Sequence, residues 1–160
     1  MMIASRQASC YDLRMDATDA VAELERVVVG AVGLTTRALA EAAPGTDLTF
    51  PQWRALLIVG EEPGGARVGQ VAFRVGVTLP ATSRLLRRLA QRGLVILEPD
   101  DLDRRATRAR LTDAGAAVRA SILRYRRDAL RGVVAVLDIE TASQFRTTVS
   151  ALADALGAFA

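Results

Sequence analysis

The residues of this chain best suited to chemistry are arginines. Arg84, Arg87 and Arg88 lie three and four positions apart, so on a helix they share one face. Pro80, Ser83 and Gln91 fall on the same side at 100° per residue, and no acid does. Arg104 and Arg105 form a second group, inside Glu98–Ala106, a stretch rich in the turn residues Pro and Asp. A guanidinium is always charged, and its planar fork of donors matches a phosphate or the edge of a guanine. Such groups recognise a polyanion and do not transfer atoms. An enzyme is not expected, because the chain has no His, a single Cys, no phosphate-cradling glycine loop, no nucleophile motif and no cluster of metal ligands. No metal or cofactor is expected either.

The segment from Val68 to Thr112 must position these arginines. Apolar residues at 68, 71, 72 and 75 make the stripe of a short amphipathic helix, and Gly76 ends it. Thr78 can cap a second helix over about Pro80–Gln91, with Thr82, Leu85, Leu86 and Leu89 on its buried face. Two helices joined by a glycine turn, the second with a basic outer face, describe a helix-turn-helix. Gly93 stops the second helix. Leu94–Leu97 and Thr107–Leu111 then read as two strands of a hairpin, with Arg104 and Arg105 projecting from its tip as a wing. Arginine on such an arm suits the narrow minor groove of DNA, where negative potential concentrates.

The charge distribution agrees. The chain of 160 residues carries a formal charge of only +3, and every basic residue is Arg. Residues 67–131 hold 15 Arg against 6 acids, a balance of +9, while residues 1–66 hold 5 against 9, a balance of −4. Positive charge thus gathers on the helix-turn-helix and the helix after it. Half the residues are hydrophobic and 4% aromatic, so a core built mostly of Leu, Val and Ala is available. The lone Cys10 excludes an internal disulfide, and neither a signal peptide nor an apolar run of about 20 residues is present, so a cytoplasmic protein without a membrane partner is expected.

Arg84 and Leu89, then Arg92-Gly93-Leu94-Val95, Asp103-Arg104-Arg105 and Leu111-Thr112-Asp113-Ala114-Gly115 follow in an order and spacing that resemble the winged helix-turn-helix of the MarR family of bacterial transcriptional regulators. Leu48–Trp53 looks like the start of that family's second helix, and the similarity spans roughly Asp16 to Phe159. The resemblance implies a mainly α fold with a small β-hairpin wing, in which a winged helix-turn-helix is joined to a helical dimerisation platform. The expected organisation is a flexible arm over 1–15, a dimerisation region over 16–47 and 113–160, and a DNA-binding domain over 48–112.

Outside the DNA-binding segment, a long helix is expected over Asp16–Ala43, another from Pro51 to about Gly60, and a loop over Glu61–Arg67. Thr112 should cap a helix reaching about Asp138. A last helix over Glu140–Phe159 carries Phe145, Val149, Leu152, Leu156 and Phe159 at heptad spacing, a seam that asks for a partner helix. Two residues keep two readings each. Trp53 is a core anchor or, with Arg54, lines a pocket for the small aromatic effectors that MarR-like proteins bind. Cys10 is an incidental thiol or a peroxide sensor, and the neighbouring Asp12 and Asp16 oppose the reactive thiolate.

The function implied is a homodimeric, sequence-specific regulator, a repressor relieved by a small-molecule effector, on a pseudo-palindromic operator in double-stranded DNA. Ser83 and Arg84 are placed on base edges, Arg87 and Arg88 on phosphates, and Arg104 and Arg105 in the minor groove. Pro80 lies beside them, and by resemblance Asp103 orients Arg105 through an ion pair. The alternatives are a winged helix that binds protein, or one that binds DNA without sequence preference.

Overall fold

The computed structural model describes residues 4–157. Phe159 of the terminal seam, and the side chains of Cys10 and Leu156, lie outside what is described. The elements run α1 (Ala4–Ala42), α2 (Phe50–Glu61), β1 (Ala66–Arg67), α3 (Val68–Val75), α4 (Leu79–Gln91), β2 (Val95–Pro99), β3 (Thr107–Leu111), α5 (Asp113–Val134) and α6 (Ile139–Gly157). The chain falls into two compact units that divide between Arg37 and Ala38, inside α1.

Local chemistry sets the boundaries of the helix-turn-helix. Gly76 closes α3 at φ 79°, donating its N–H to the Ala72 carbonyl at 3.0 Å. That left-handed conformation is open to glycine and strained for other residues. Thr78 is the extended residue before α4, and Pro80 sits in the first turn, where a missing N–H is harmless. At the start of α2, the Gln52 side chain reaches back to accept the Thr49 N–H at 3.0 Å. Thr112 caps α5 by accepting the Gly115 N–H at 3.0 Å, while its hydroxyl donates to the Gly93 carbonyl at 2.6 Å.

The buried faces of α2, α3, α4 and α5 close over the sheet. Trp53, Leu56 and Val59 from α2 meet Val71, Leu86 and Leu89, with Leu94, Val95, Ala109 and Ile122 completing one core. Each buried Leu, Val or Ile among them contributes roughly 1.5–3 kcal/mol by leaving water. Thr82, Leu86 and Leu89 are buried as their spacing requires, and Leu85 is half-buried. Gly115 marks a close approach, since any Cβ there would collide with the Leu94 carbonyl.

Four expectations need adjusting. Glu61–Arg67 is not all loop, because Ala66–Arg67 forms β1 and adds a third antiparallel strand in the order β1-β3-β2. Two residues are too few to show alternation, so only pairing with Ala109 and Arg108 reveals this strand. The first hairpin strand is Val95–Pro99, one residue later and longer than read. Helix α1 begins at Ala4, ahead of Asp16, within a segment rich in helix formers such as Ala, Arg, Gln and Leu. Helix α5 stops at Val134, short of Asp138, whose carboxylate instead caps α6 by accepting the Thr141 N–H at 2.8 Å.

The long terminal helices show their apolar residues to solvent. On α1, Val21, Val28 and Val32 are exposed, and on α6 so are Phe145 and Val149. No helix among the described residues is long and apolar enough to cross a membrane.

Candidate nucleic-acid interface

Burying Thr82, Leu86 and Leu89 turns the opposite face of α4 outward. Pro80, Arg84, Arg87 and Arg88 are exposed there, and Ser83 is half-exposed at the edge. The Ser83 hydroxyl donates to the Leu79 carbonyl at 3.0 Å, which leaves its oxygen lone pairs as acceptors. A cavity of about 240 Å³ separates this face from the start of α2, with Arg84 and Arg88 in its walls. The apolar residues Phe73, Val77 and Leu79 are exposed around the turn.

The wing is ordered from its root. Asp100 is fully buried and accepts from two arginines. Arg67 reaches it with both prongs, Nε to Oδ2 at 3.0 Å and Nη2 to Oδ1 at 2.7 Å. Arg108 donates from Nε at 2.9 Å and also donates to the Gly65 carbonyl at 2.7 Å. The backbone N–H groups of Leu102 and Asp103 each reach Asp100 Oδ1 at 3.1 Å. The Arg67 guanidinium holds the Asp100 carboxyl well below the usual carboxylate range. Burial opposes this, while Arg108 and the two N–H groups add to it. The Asp100 carboxylate in turn raises the pKa of Arg67.

A carboxyl whose pKa is lowered by folding stabilises the fold above its unfolded value of about 3.9, and that stability disappears as pH falls through the lowered value. The difference in melting temperature between wild type and Asp100→Asn should therefore stay constant from pH 8 to pH 5 and shrink below about pH 4. Thermal melts of both proteins across that range check it. A difference that already shrinks near pH 6 would contradict the assignment.

Asp103 holds the wing turn. Its carboxylate accepts the backbone N–H of Arg105 at 3.0 Å, so its observed contact is with the turn and not with the guanidinium. A short Asp side chain two residues before an N–H closes a local turn more readily than it reaches a long arginine pointing to solvent.

The arginines of residues 67–110 thus divide into two sets. Arg67 and Arg108 hold Asp100, Arg74 pairs with Glu61 and Glu62, and Arg110 pairs with Glu98. Arg92 donates to the carbonyls of Thr46 and Asp47 at 2.7 and 3.1 Å. Arg84, Arg87, Arg88, Arg104 and Arg105 are exposed and, among the described residues, make no ion pair with an acid. The sequence marked this second set. It did not single out Asp100, whose only signal was an acid at the turn entrance.

Trp53 is 1% exposed in the middle of the core. The Arg54 Nη2 donates to the Arg74 carbonyl at 2.7 Å and so covers the end of α3.

The model of the MarR family matches residues 46–106, which hold both the helix-turn-helix and the wing tip. Residues 46–106 form a MarR-family winged helix. Solved structures of MarR-family proteins align beyond this segment. A MarR family protein from Bacillus stearothermophilus is 26% identical, with 88% of this chain and 97% of that one aligned at a TM-score of 0.72. CouR from Rhodococcus jostii RHA1, bound to p-coumaroyl-CoA, aligns over 86% and 93% at 23% identity and a TM-score of 0.65. FabT from Streptococcus pneumoniae, in complex with DNA, aligns over 92% and 99% at 17% identity and a TM-score of 0.68. A search of curated proteins finds no match to the chain.

Proposed function

We propose that the chain is a homodimeric, sequence-specific DNA-binding regulator in the cytoplasm. The observation that carries this reading is the exposed, acid-free face of α4 with Arg84, Arg87 and Arg88, joined in one compact unit to a wing that carries Arg104 and Arg105. Ser83 and Arg84, in the first half of α4, read base edges; Arg87 and Arg88 hold phosphates. Arg105, with Arg104, enters the minor groove. FabT, which has the same fold, is found in complex with DNA, and this supports DNA binding by such a fold.

The exposed apolar residues of α1 and α6 belong to a dimerisation region over 16–47 and 113–160, flanking a DNA-binding domain over 48–112. Large exposed apolar surface on terminal helices favours association with a second copy. A two-fold dimer presents two α4 helices to successive major grooves, so the operator is a pseudo-palindrome. The regulator acts as a repressor, and a small organic effector relieves it by binding the two dimer states with different affinity. CouR with p-coumaroyl-CoA supports an acyl or aromatic ligand in this fold.

The test is a titration against the DNA upstream of the protein's own gene, with scrambled duplex as competitor, at two salt concentrations. Binding that resists the competitor at two protomers per site is the expected result. Equal loss to the competitor would leave only DNA binding without sequence preference. Absence of binding at low salt would favour a protein-binding role, for which exposed Phe73, Val77 and Leu79 supply the apolar contacts. Arg88→Ala should weaken binding to all duplexes. It should also flatten the plot of log K against log salt by roughly one unit for each arginine lost, hence about two per dimer. An unchanged slope would remove Arg88 from the phosphate contacts.

A further inference from the structure

We propose that Asp100 is the positioning residue of the wing: through Arg67 it fastens the hairpin to the start of α3, and through the turn at 100–105 it sets where Arg105 meets DNA. The inference rests on the DNA-binding reading above. Its basis is a continuous chain of contacts. Arg67 is the residue that leads into α3, the first helix of the helix-turn-helix. Its two-pronged bond to Asp100 spans 33 positions of sequence and joins that helix to the hairpin. Arg108 adds a second grip from β3.

Beyond the root, the Asp100 N–H donates to the Ala106 carbonyl at 2.9 Å, which closes the base of the loop. The carboxylate then gathers the N–H groups of Leu102 and Asp103, and Asp103 gathers that of Arg105. Each bond fixes backbone that would otherwise be free, so the loop is shaped before it meets a partner. A preshaped loop avoids the entropic cost of ordering on binding. Arg104 and Arg105 remain exposed at the end of this chain, with their guanidinium groups outside it. Charge is what the device needs. A neutral amide at 100 has one acceptor oxygen, which can keep the two N–H bonds, while two guanidinium groups lose their counter-ion.

The test is a double-mutant cycle on a duplex selected by the wild-type protein from a randomised library. Arg105→Ala is measured in the wild-type background and in Asp100→Asn. Affinities are referred to the folded fraction found by circular dichroism. In the wild-type background, Arg105→Ala should weaken binding roughly tenfold. In Asp100→Asn it should change binding by less than about twofold, because the arginine is already misplaced. Arg67→Gln, which leaves the Arg108 grip and both N–H bonds, should show the same coupling at smaller size. It replaces Asp100→Asn should that variant fail to fold. A loss from Arg105→Ala of the same size in every background would overturn the positioning role while leaving the DNA-binding reading intact. If the wild-type protein selects no duplex, the DNA-binding reading itself falls, and this inference with it.

Discussion

Trp53→Ala will destabilise the winged helix by about 3–5 kcal/mol, the range for truncating a large aromatic in a packed core. Trp53 is 1% exposed and sits with Leu56, Val59, Val71, Leu86 and Leu89, residues contributed by three helices. No neighbour can fill the hole without leaving its own packing. Domains of this size are stable by only about 5–15 kcal/mol in total, so the variant should stand close to unfolding at physiological temperature. Chemical denaturation followed by circular dichroism measures the loss. Tryptophan fluorescence of the wild type gives a second probe, since Trp53 is the only tryptophan. A loss below about 1 kcal/mol, with effector response abolished, would instead favour the pocket reading of this residue.

Arg84→Ala should produce the largest change in DNA selectivity. Arg84 is exposed in the second turn of α4, and no acid competes for its guanidinium. A two-pronged arginine contact to guanine is worth about 1–3 kcal/mol of discrimination, from several-fold to over a hundredfold. The variant should lose that much affinity for its operator and much less for scrambled duplex, and it should tolerate base changes at one position of each half-site. Arg88→Ala differs in kind, because losing a phosphate contact weakens all sequences alike. Competition titrations with single-base operator variants separate the two. An Arg84→Ala protein that keeps full preference for the operator would move base reading elsewhere, with Ser83 the next residue to examine.

The helix-turn-helix was legible because its signals are local. Val68, Val71, Ala72 and Val75 repeat at helical spacing, Gly76 permits the left-handed turn, and Thr78 with Pro80 opens the next helix. The segregation of Leu86 and Leu89 from Arg84, Arg87 and Arg88 needs only the helical period. Strand β1 escaped notice because two residues carry no period, and it exists only through its partner β3. The resemblance implies an ion pair of Asp103 with Arg105, whereas the carboxylate is seen on the Arg105 N–H. A sequence shows which charges are near in the chain, but not whether a carboxylate turns toward a backbone N–H or a guanidinium.

By itself, then, the sequence determined the kind of surface this protein carries: a helix with an arginine face, preceded by a glycine turn and followed by a basic hairpin. Period, cap and charge are properties of neighbouring residues, and they survive without knowledge of the fold. Only the tertiary structure decided which arginines are spent on the protein itself. Arg67, Arg74, Arg92 and Arg108 look no different in sequence from Arg84 or Arg105, yet they bind acids or carbonyls brought close by packing. Arg67 and Asp100 lie 33 positions apart, and what makes them partners is that β1, β3 and the hairpin turn converge on one buried point. Burial there excludes water, so the carboxylate must be paired, and that requirement fixes the wing in place.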